Sequence, residues 1–237
     1  MLWQSTVTGD PPQGTAADIS IDWKSMDIQS FLSRIIKPFR LKRMVRFVEL
    51  IRPTTHQKIL DIGGHPFNWN LIDYRGPVVM LNLDETVSSD LRGNHEFVVG
   101  DGTALEYGDN EFDIVFSNSV IEHVGGPEQQ ERFAREALRV GQRMFLQTPA
   151  RSFFFEPHYV TPFIHFLSPR WQKKLLRRFS VWGWLARPSQ KWIDDFVDQT
   201  RLLGYDELKH LFPGCTILRE KFLFMTKSYI VVKLEAG

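Results

Sequence analysis

Five short stretches gather the residue types that do chemistry. The first is Leu60-Asp61-Ile62-Gly63-Gly64-His65-Pro66-Phe67, an acid and two glycines at the end of an apolar run. Two glycines after a buried strand allow a tight turn and let a ligand approach the backbone closely, and the acid can orient that turn or hold a cation. The next three are Leu81-Asn82-Leu83-Asp84, then Val99-Gly100-Asp101-Gly102-Thr103, then Phe112 to Ser117-Asn118 running on into Val120-Ile121-Glu122-His123-Val124. The fifth is Glu156-Pro157-His158. Together Glu122, His123, Glu156 and His158 offer two carboxylates and two imidazoles. An imidazole, with an ordinary pKa of about 6.5, suits a base that takes a proton from a hydroxyl. The same four groups could instead grip a divalent metal or fix local backbone corners, and nothing in their spacing demands a metal.

The elements that must position these residues read as strands alternating with helices. Apolar, β-rich segments fall at Lys58–Ile62, Val78–Asp84, Glu96–Gly100, Phe112–Asn118 and Arg143–Thr148. Before the last of these, Pro127 opens a helix with Glu128 and Glu131 near its positive end, an apolar stripe of Phe133, Ala134, Ala137 and Leu138, and Gly141 as its cap. Nearly continuous apolar strands separated by helices imply a mainly parallel sheet covered on both faces. The closing segments Thr216–Phe224 and Lys227–Leu234 are too close together to be parallel neighbours, so an antiparallel pair ends the sheet. In such a sheet ligands bind outside the carboxyl ends of the strands, and all five stretches follow a strand.

Upstream, from Ser33 to Leu50, apolar residues recur at helical spacing among six basic ones, with Pro38 expected to break the stretch and start a helix near Phe39. Its basic side is read as a solvated face, with an anionic membrane surface as the alternative. Residues 1–20 read as an N-terminal arm, and 21–237 as one domain.

Taken together, the residues from Lys58 to Thr148 resemble the class I S-adenosylmethionine-dependent methyltransferases, in particular the small-molecule group related to the ubiquinone-type enzymes. The resemblance implies an α/β, Rossmann-like, mainly parallel seven-stranded sheet, with S-adenosyl-L-methionine as cofactor. It places Asp61, Gly63 and Gly64 at the methionine part of that cofactor, and Asn82 or Asp84 at its ribose, since both point to one face of a strand. It places Asp101, with Gly102 and Thr103, at the adenine amino group, and Ser117 and Asn118 below the reactive methyl. His65 and Pro66-Phe67 stand where the family has further small residues, so the first crossover helix must be short or distorted.

Methyl transfer from a sulfonium needs alignment and exclusion of water more than acid–base apparatus. A hydroxyl acceptor adds the need for a base, for which His123, His158 and Glu156 are the candidates. The acceptor is expected to be a small molecule of glycosyl, lipid-like or other natural-product character. An RNA methyltransferase and a non-catalytic, cofactor-binding subunit are the alternatives.

Charge and composition narrow this further. The chain of 237 residues has a formal net charge of +1, which disfavours bulk polyanion binding. Residues 58–136, with 15 acidic and 5 basic side chains, carry −10 between flanks of +3 and +8. Residues 150–193 read as an insertion after the fifth strand, with eleven aromatic side chains; between Glu156 and Asp194 stand seven basic residues and no acidic one. Phe154, Tyr159, Trp182 and Trp184 there could stack on an acceptor, while His165 is expected to pack among Phe163, Phe166 and Leu167. One cysteine, Cys215, forbids an intramolecular disulfide and reads as a small buried side chain in a cytoplasmic protein.

Overall fold

The computed structural model describes residues 28–72, 74–83, 91, 93–156, 161–180, 183 and 187–234, with side chains except at 28–36 and 156. The N-terminal arm and the candidates Asp84, His158, Tyr159, Trp182 and Trp184 lie outside the described residues.

Apolar strand segments pair as their composition dictates. β1 (Ile59–Ile62), β2 (Val78–Asn82), β3 (His95–Val99), β4 (Phe112–Asn118) and β5 (Gly141–Pro149) are parallel neighbours in the order β3-β2-β1-β4-β5. β9 (Met225–Lys233) then runs antiparallel to β5, and β8 (Thr216–Phe222) antiparallel to β9 outside it. This is the mainly parallel seven-stranded sheet with its antiparallel pair at one edge. β6 (Phe155–Glu156) and β7 (Thr161–Pro162) form a separate ribbon.

Because side chains alternate across a strand, the two faces of the sheet make two cores. Leu60, Ile62, Val115 and Leu146 turn to one face and meet Phe133, Ala137 and Val140 of α3 (Pro127–Val140). Ile59, Met80, Phe116 and Phe145 turn to the other, meeting Met44, Phe47 and Ile51 of α1 (Ile28–Ile51) and Trp69 of α2 (Pro66–Trp69). Phe47 is the hub of the second core, edge-on to Trp69, Phe116 and Phe145 at centroid distances of 5.9, 5.0 and 5.6 Å.

One detail differs from the sequence expectation. α1 runs through Pro38 rather than starting after it. A proline removes one helix hydrogen bond, and burial of Met44, Phe47 and Ile51 downstream carries the helix regardless. Gly141 does end α3 as its C-cap, but in an extended conformation at φ −111° that opens β5 directly. Its lack of a side chain serves packing: a Cβ there would sit 2.6 Å from Val115 Cγ2.

After β5 the chain leaves the sheet, forms the β6–β7 ribbon, α4 (Pro169–Phe179) and α5 (Gln190–Gln199), and returns through a bridge between Ala150 and Leu203 to α6 (Tyr205–Leu211). α4 and α5 close a small core of their own around Leu176, Ile193 and Val197. The insertion therefore begins and ends at the carboxyl edge of β5.

Candidate functional site at the carboxyl edge of the sheet

The turn after β1 is organised by Asp61. Strand alternation points this residue to the α1–α2 face, where it is only 1% exposed. Its Oδ2 accepts a hydrogen bond from Trp69 Nε1 at 2.7 Å, and the carboxylate also accepts the His65 backbone N–H. Burial pushes the Asp61 carboxyl up to about 8; the Trp69 and His65 hydrogen bonds and the charge of Arg40 pull the other way. The turn's other N–H groups also face inward. Gly63 donates to Leu81 O at 2.8 Å, Gly64 to Leu81 O at 3.1 Å and Asp61 O at 3.2 Å, and Phe67 to His65 Nδ1 at 3.0 Å. His65 thus caps the four-residue α2, whose shortness agrees with the altered glycine motif.

Each further strand end brings a sequence candidate to the same edge. Asn82, at the end of β2, donates from Nδ2 to Gly64 O at 3.2 Å and accepts Leu83 N–H at 2.8 Å, so its amide props the glycine turn. After β3, Asp101 Oδ1 accepts both N–H and Oγ1–H of Thr103, at 2.8 and 2.9 Å, which fixes the direction of the carboxylate. Gly102 is needed for clearance, since a Cβ there would lie 2.7 Å from Ile62 Cγ2. Ser117, buried at the end of β4, donates to Ile62 O at 3.1 Å. Asn118 Oδ1 accepts from Arg43 Nη1 at 3.2 Å.

Beyond β4 a single helical turn, Ile121–His123, carries the acid and imidazole. Glu122 is fully buried and its Oε2 accepts from Thr148 Oγ1 at 2.9 Å. His123 is 8% exposed; its ring packs against Phe196 of α5, with Nδ1 3.4 Å from Thr200 Oγ1. Of the residues following β5, Glu156 sits in β6, and Phe154 is half-buried between the rings of Phe153 and Phe163. His165 lies against Phe166 with a centroid distance of 4.1 Å. Cys215 is half-buried, and burial raises its thiol pKa. Among the described residues no group of three or more His, Cys, Asp or Glu side chains converges on a metal-sized site.

Some site residues escaped the sequence reading. Arg40 and Arg43 are not part of a solvated basic face: Arg40 reaches Asn68 Oδ1 at 3.4 Å and stacks over Phe67, and Arg43 reaches Asn118. Burial lowers both guanidinium pKa values. Their spacing of three on the side next to Met44 and Phe47 was the available signal. Gln130 was also missed. From α3 its Nε2 donates to Ile121 O at 3.0 Å and Arg201 O at 2.9 Å, tying the turn that bears His123 to the returning end of the insertion.

The chemistry of this edge can be tested against the cofactors that such sheets hold. A dinucleotide pyrophosphate needs free N–H donors at the glycine turn and the positive end of a full helix behind it. Here the N–H groups of residues 63, 64, 65 and 67 are already engaged by Leu81 O, Asp61 and the His65 ring, and the helix has one turn. The cationic sulfonium and ammonium of S-adenosylmethionine ask instead for acceptors and negative charge. Asp61, Asp101 and the −10 segment around them fit that demand.

Comparison with known proteins agrees. Residues 64–143 match the family model of a methyltransferase domain. Phosphoethanolamine N-methyltransferase 3 of Arabidopsis thaliana is 27% identical over 168 residues, 64% of this chain and 34% of that protein, so the chain spans about a third of the length of this curated relative. The crystal structure of the PH0226 protein of Pyrococcus horikoshii superposes with a TM-score of 0.50 at 20% identity, covering 89% of this chain and 92% of that one, a likeness of fold. Sheet order and the match over residues 64–143 agree in making this part of the chain similar to a methyltransferase domain.

Proposed function

We propose that the protein transfers the methyl group of S-adenosylmethionine to a hydroxyl of a small-molecule acceptor bound between the strand ends and the insertion. The observation that carries this reading is the placement of His123. An imidazole is fixed one turn beyond β4, steadied by Gln130 from below and by Phe196 and Thr200 from the insertion. The cofactor supplies an electrophilic methyl on a good leaving group. The chain's residues do the rest: Asp101 holds a direction set by Thr103, Asp61 and Asn82 keep the glycine turn in shape, the insertion excludes water, and His123 receives the acceptor's proton.

His123→Ala is expected to lower the methylation rate at least about a hundredfold while S-adenosylhomocysteine affinity stays within about twofold. Unchanged turnover would remove His123 from the reaction. The Arabidopsis relative's name gives a second reading, an amine acceptor, whose neutral form needs no base in the transfer step. On that reading His123→Ala leaves the rate intact at alkaline pH, and mass spectrometry finds the methyl on nitrogen.

Asp101→Ala tests the cofactor edge separately. Calorimetry should show S-adenosylhomocysteine binding weakened about tenfold or more, the worth of a charge-assisted hydrogen bond. The melting temperature should barely move, because Asp101 is exposed. Wild-type affinity in this variant would take Asp101 out of the site.

A further inference from the structure

The hairpin joining β8 to β9 is built against the usual rules. Phe222 pairs with Met225, which leaves Leu223 and Phe224 as a two-residue loop, both left-handed at φ 45° and 68°. Such a loop favours Asn-Gly, because bulky side chains strain at positive φ. This one instead holds Leu223 and Phe224 68% and 99% exposed, so the protein accepts strain at a position where the apolar side chains gain nothing from its own core.

The tip does not stand alone. Phe222 meets Phe153 edge-on at 6.2 Å, and Phe153, Phe154, Phe163 and Phe166 follow at successive centroid distances of 4.8, 6.0 and 6.5 Å, so a ladder of rings runs from the hairpin to the start of α4. On the N-terminal side Lys227 caps the exposed ring of Phe39 at 5.2 Å. On α4, Trp171 is exposed with Lys174 over its ring at 5.5 Å. Lys174, Arg177, Arg178 and Arg187 then line a cleft of about 800 Å³ with Gly183 and Gln190, and among the described residues no carboxylate joins the lining. By contrast Lys173 and Lys191 are paired with Asp198 and Asp195.

We propose that this rim docks the protein on an anionic lipid bilayer, with the hairpin tip and the exposed rings entering the acyl boundary and the α4 cations resting on phosphate headgroups. Apolar side chains flanked by tryptophan and unpaired cations are what an interfacial segment requires. Among the described residues no helix is long and apolar enough to cross a membrane, so the contact is with the surface. A single-stranded nucleic acid would also meet cations and rings, but the aliphatic Leu223 and Met225 at the tip match acyl chains and give a base nothing to stack on, so the bilayer is the occupant favoured. β8 ends at the same edge as β5, because Ser228 pairs with both Pro149 and Glu220; docking therefore brings the strand-end site to the lipid surface.

The test is flotation of the full chain with phosphatidylcholine vesicles, with and without phosphatidylserine. The wild type should float with the anionic vesicles and remain below with the neutral ones. Leu223→Asn with Phe224→Gly should lower partitioning about tenfold or more, while the melting temperature holds or rises because the loop then has its favoured residues. Arg177→Glu with Arg178→Glu, on an exposed helix face, should abolish the preference for phosphatidylserine. The proposal is overturned if the wild type stays below with anionic vesicles at low salt. It is equally overturned if the Asn-Gly protein floats undiminished, or if an RNA oligonucleotide binds the rim with the salt-steep affinity that the vesicles lack. Binding of S-adenosylhomocysteine, read on the same samples, separates failure here from failure of the methyl-transfer reading.

Discussion

Gly63→Ala is expected to cost about 3 kcal/mol of stability and to remove S-adenosylhomocysteine binding. Two independent terms add. The residue sits at φ +74°, where a side chain costs about 1–2 kcal/mol. A Cβ there would also stand 2.3 Å from Val120 Cγ2, an overlap that Val120, just past β4, must relieve by moving, for about 1–3 kcal/mol more. At about 2–4 °C per kcal/mol for a chain of this length, thermal unfolding should fall by roughly 6–12 °C. The terms separate in a double mutant: Val120→Ala in the Gly63→Ala background should return the steric part and leave the backbone part. Cofactor binding should stay lost in both, since the turn still departs from the shape that Leu81 O and Asp61 impose. A melting temperature within a degree of wild type would mean that the turn is not left-handed, and full affinity would move the cofactor off it.

What the sequence made legible follows from which signals are local. Strand positions and their mainly parallel character came from apolar runs interrupted by turn residues, because a parallel strand buried on both faces writes its burial into every position, as in Ile59 to Ile62. The strand-end candidates were legible for a related reason, since ligands gather where parallel strands stop. Less visible was what each candidate does once placed. Asn82 is a ribose candidate in one dimension, and in three its amide is taken up by the Gly64 carbonyl and Leu83 N–H. Arg40 and Arg43 read as solvated charge, because the sequence does not show that α1 lies across the ends of β1 and β4 with long side chains able to reach Asn68 and Asn118. The Leu223-Phe224 loop was hidden by its own residues: two apolar side chains continue a strand pattern, and only the register of Phe222 with Met225 makes them a turn. These features arise from contacts between distant segments or from backbone signs, and neither leaves a period in the sequence.

Asp61 carries the other large expected effect, and its direction is opposite to that of an ordinary buried salt-bridge carboxylate. Its carboxyl is raised from 3.8 to about 8 by desolvation, so between those values the folded protein holds a proton that the unfolded chain has released. The unfolded state therefore binds fewer protons, and stability falls as pH rises through that window, levelling off above about 8. Asp61→Asn keeps a neutral acceptor for Trp69 Nε1 or the His65 N–H and removes the titration. The variant should thus gain on the wild type steadily from pH 5 to pH 8, by about 1.4 kcal/mol for each pH unit, reaching a difference on the order of several kcal/mol at the alkaline end. Melting curves of the two proteins across that range check this, and parallel curves would show that Asp61 is ionised throughout in the free protein. Ligand binding should run the other way. A cationic group brought to the turn favours the carboxylate, so binding should expel a proton, read by calorimetry in buffers of different ionisation enthalpy, and affinity should climb with pH until about 8. In Asp61→Asn both the proton release and the pH dependence should vanish together with most of the affinity. The acid that weakens the empty fold at neutral pH is then the one that makes the turn receptive to a positively charged cofactor, and a variant more stable than wild type but poorer at binding is the joint outcome this arrangement requires.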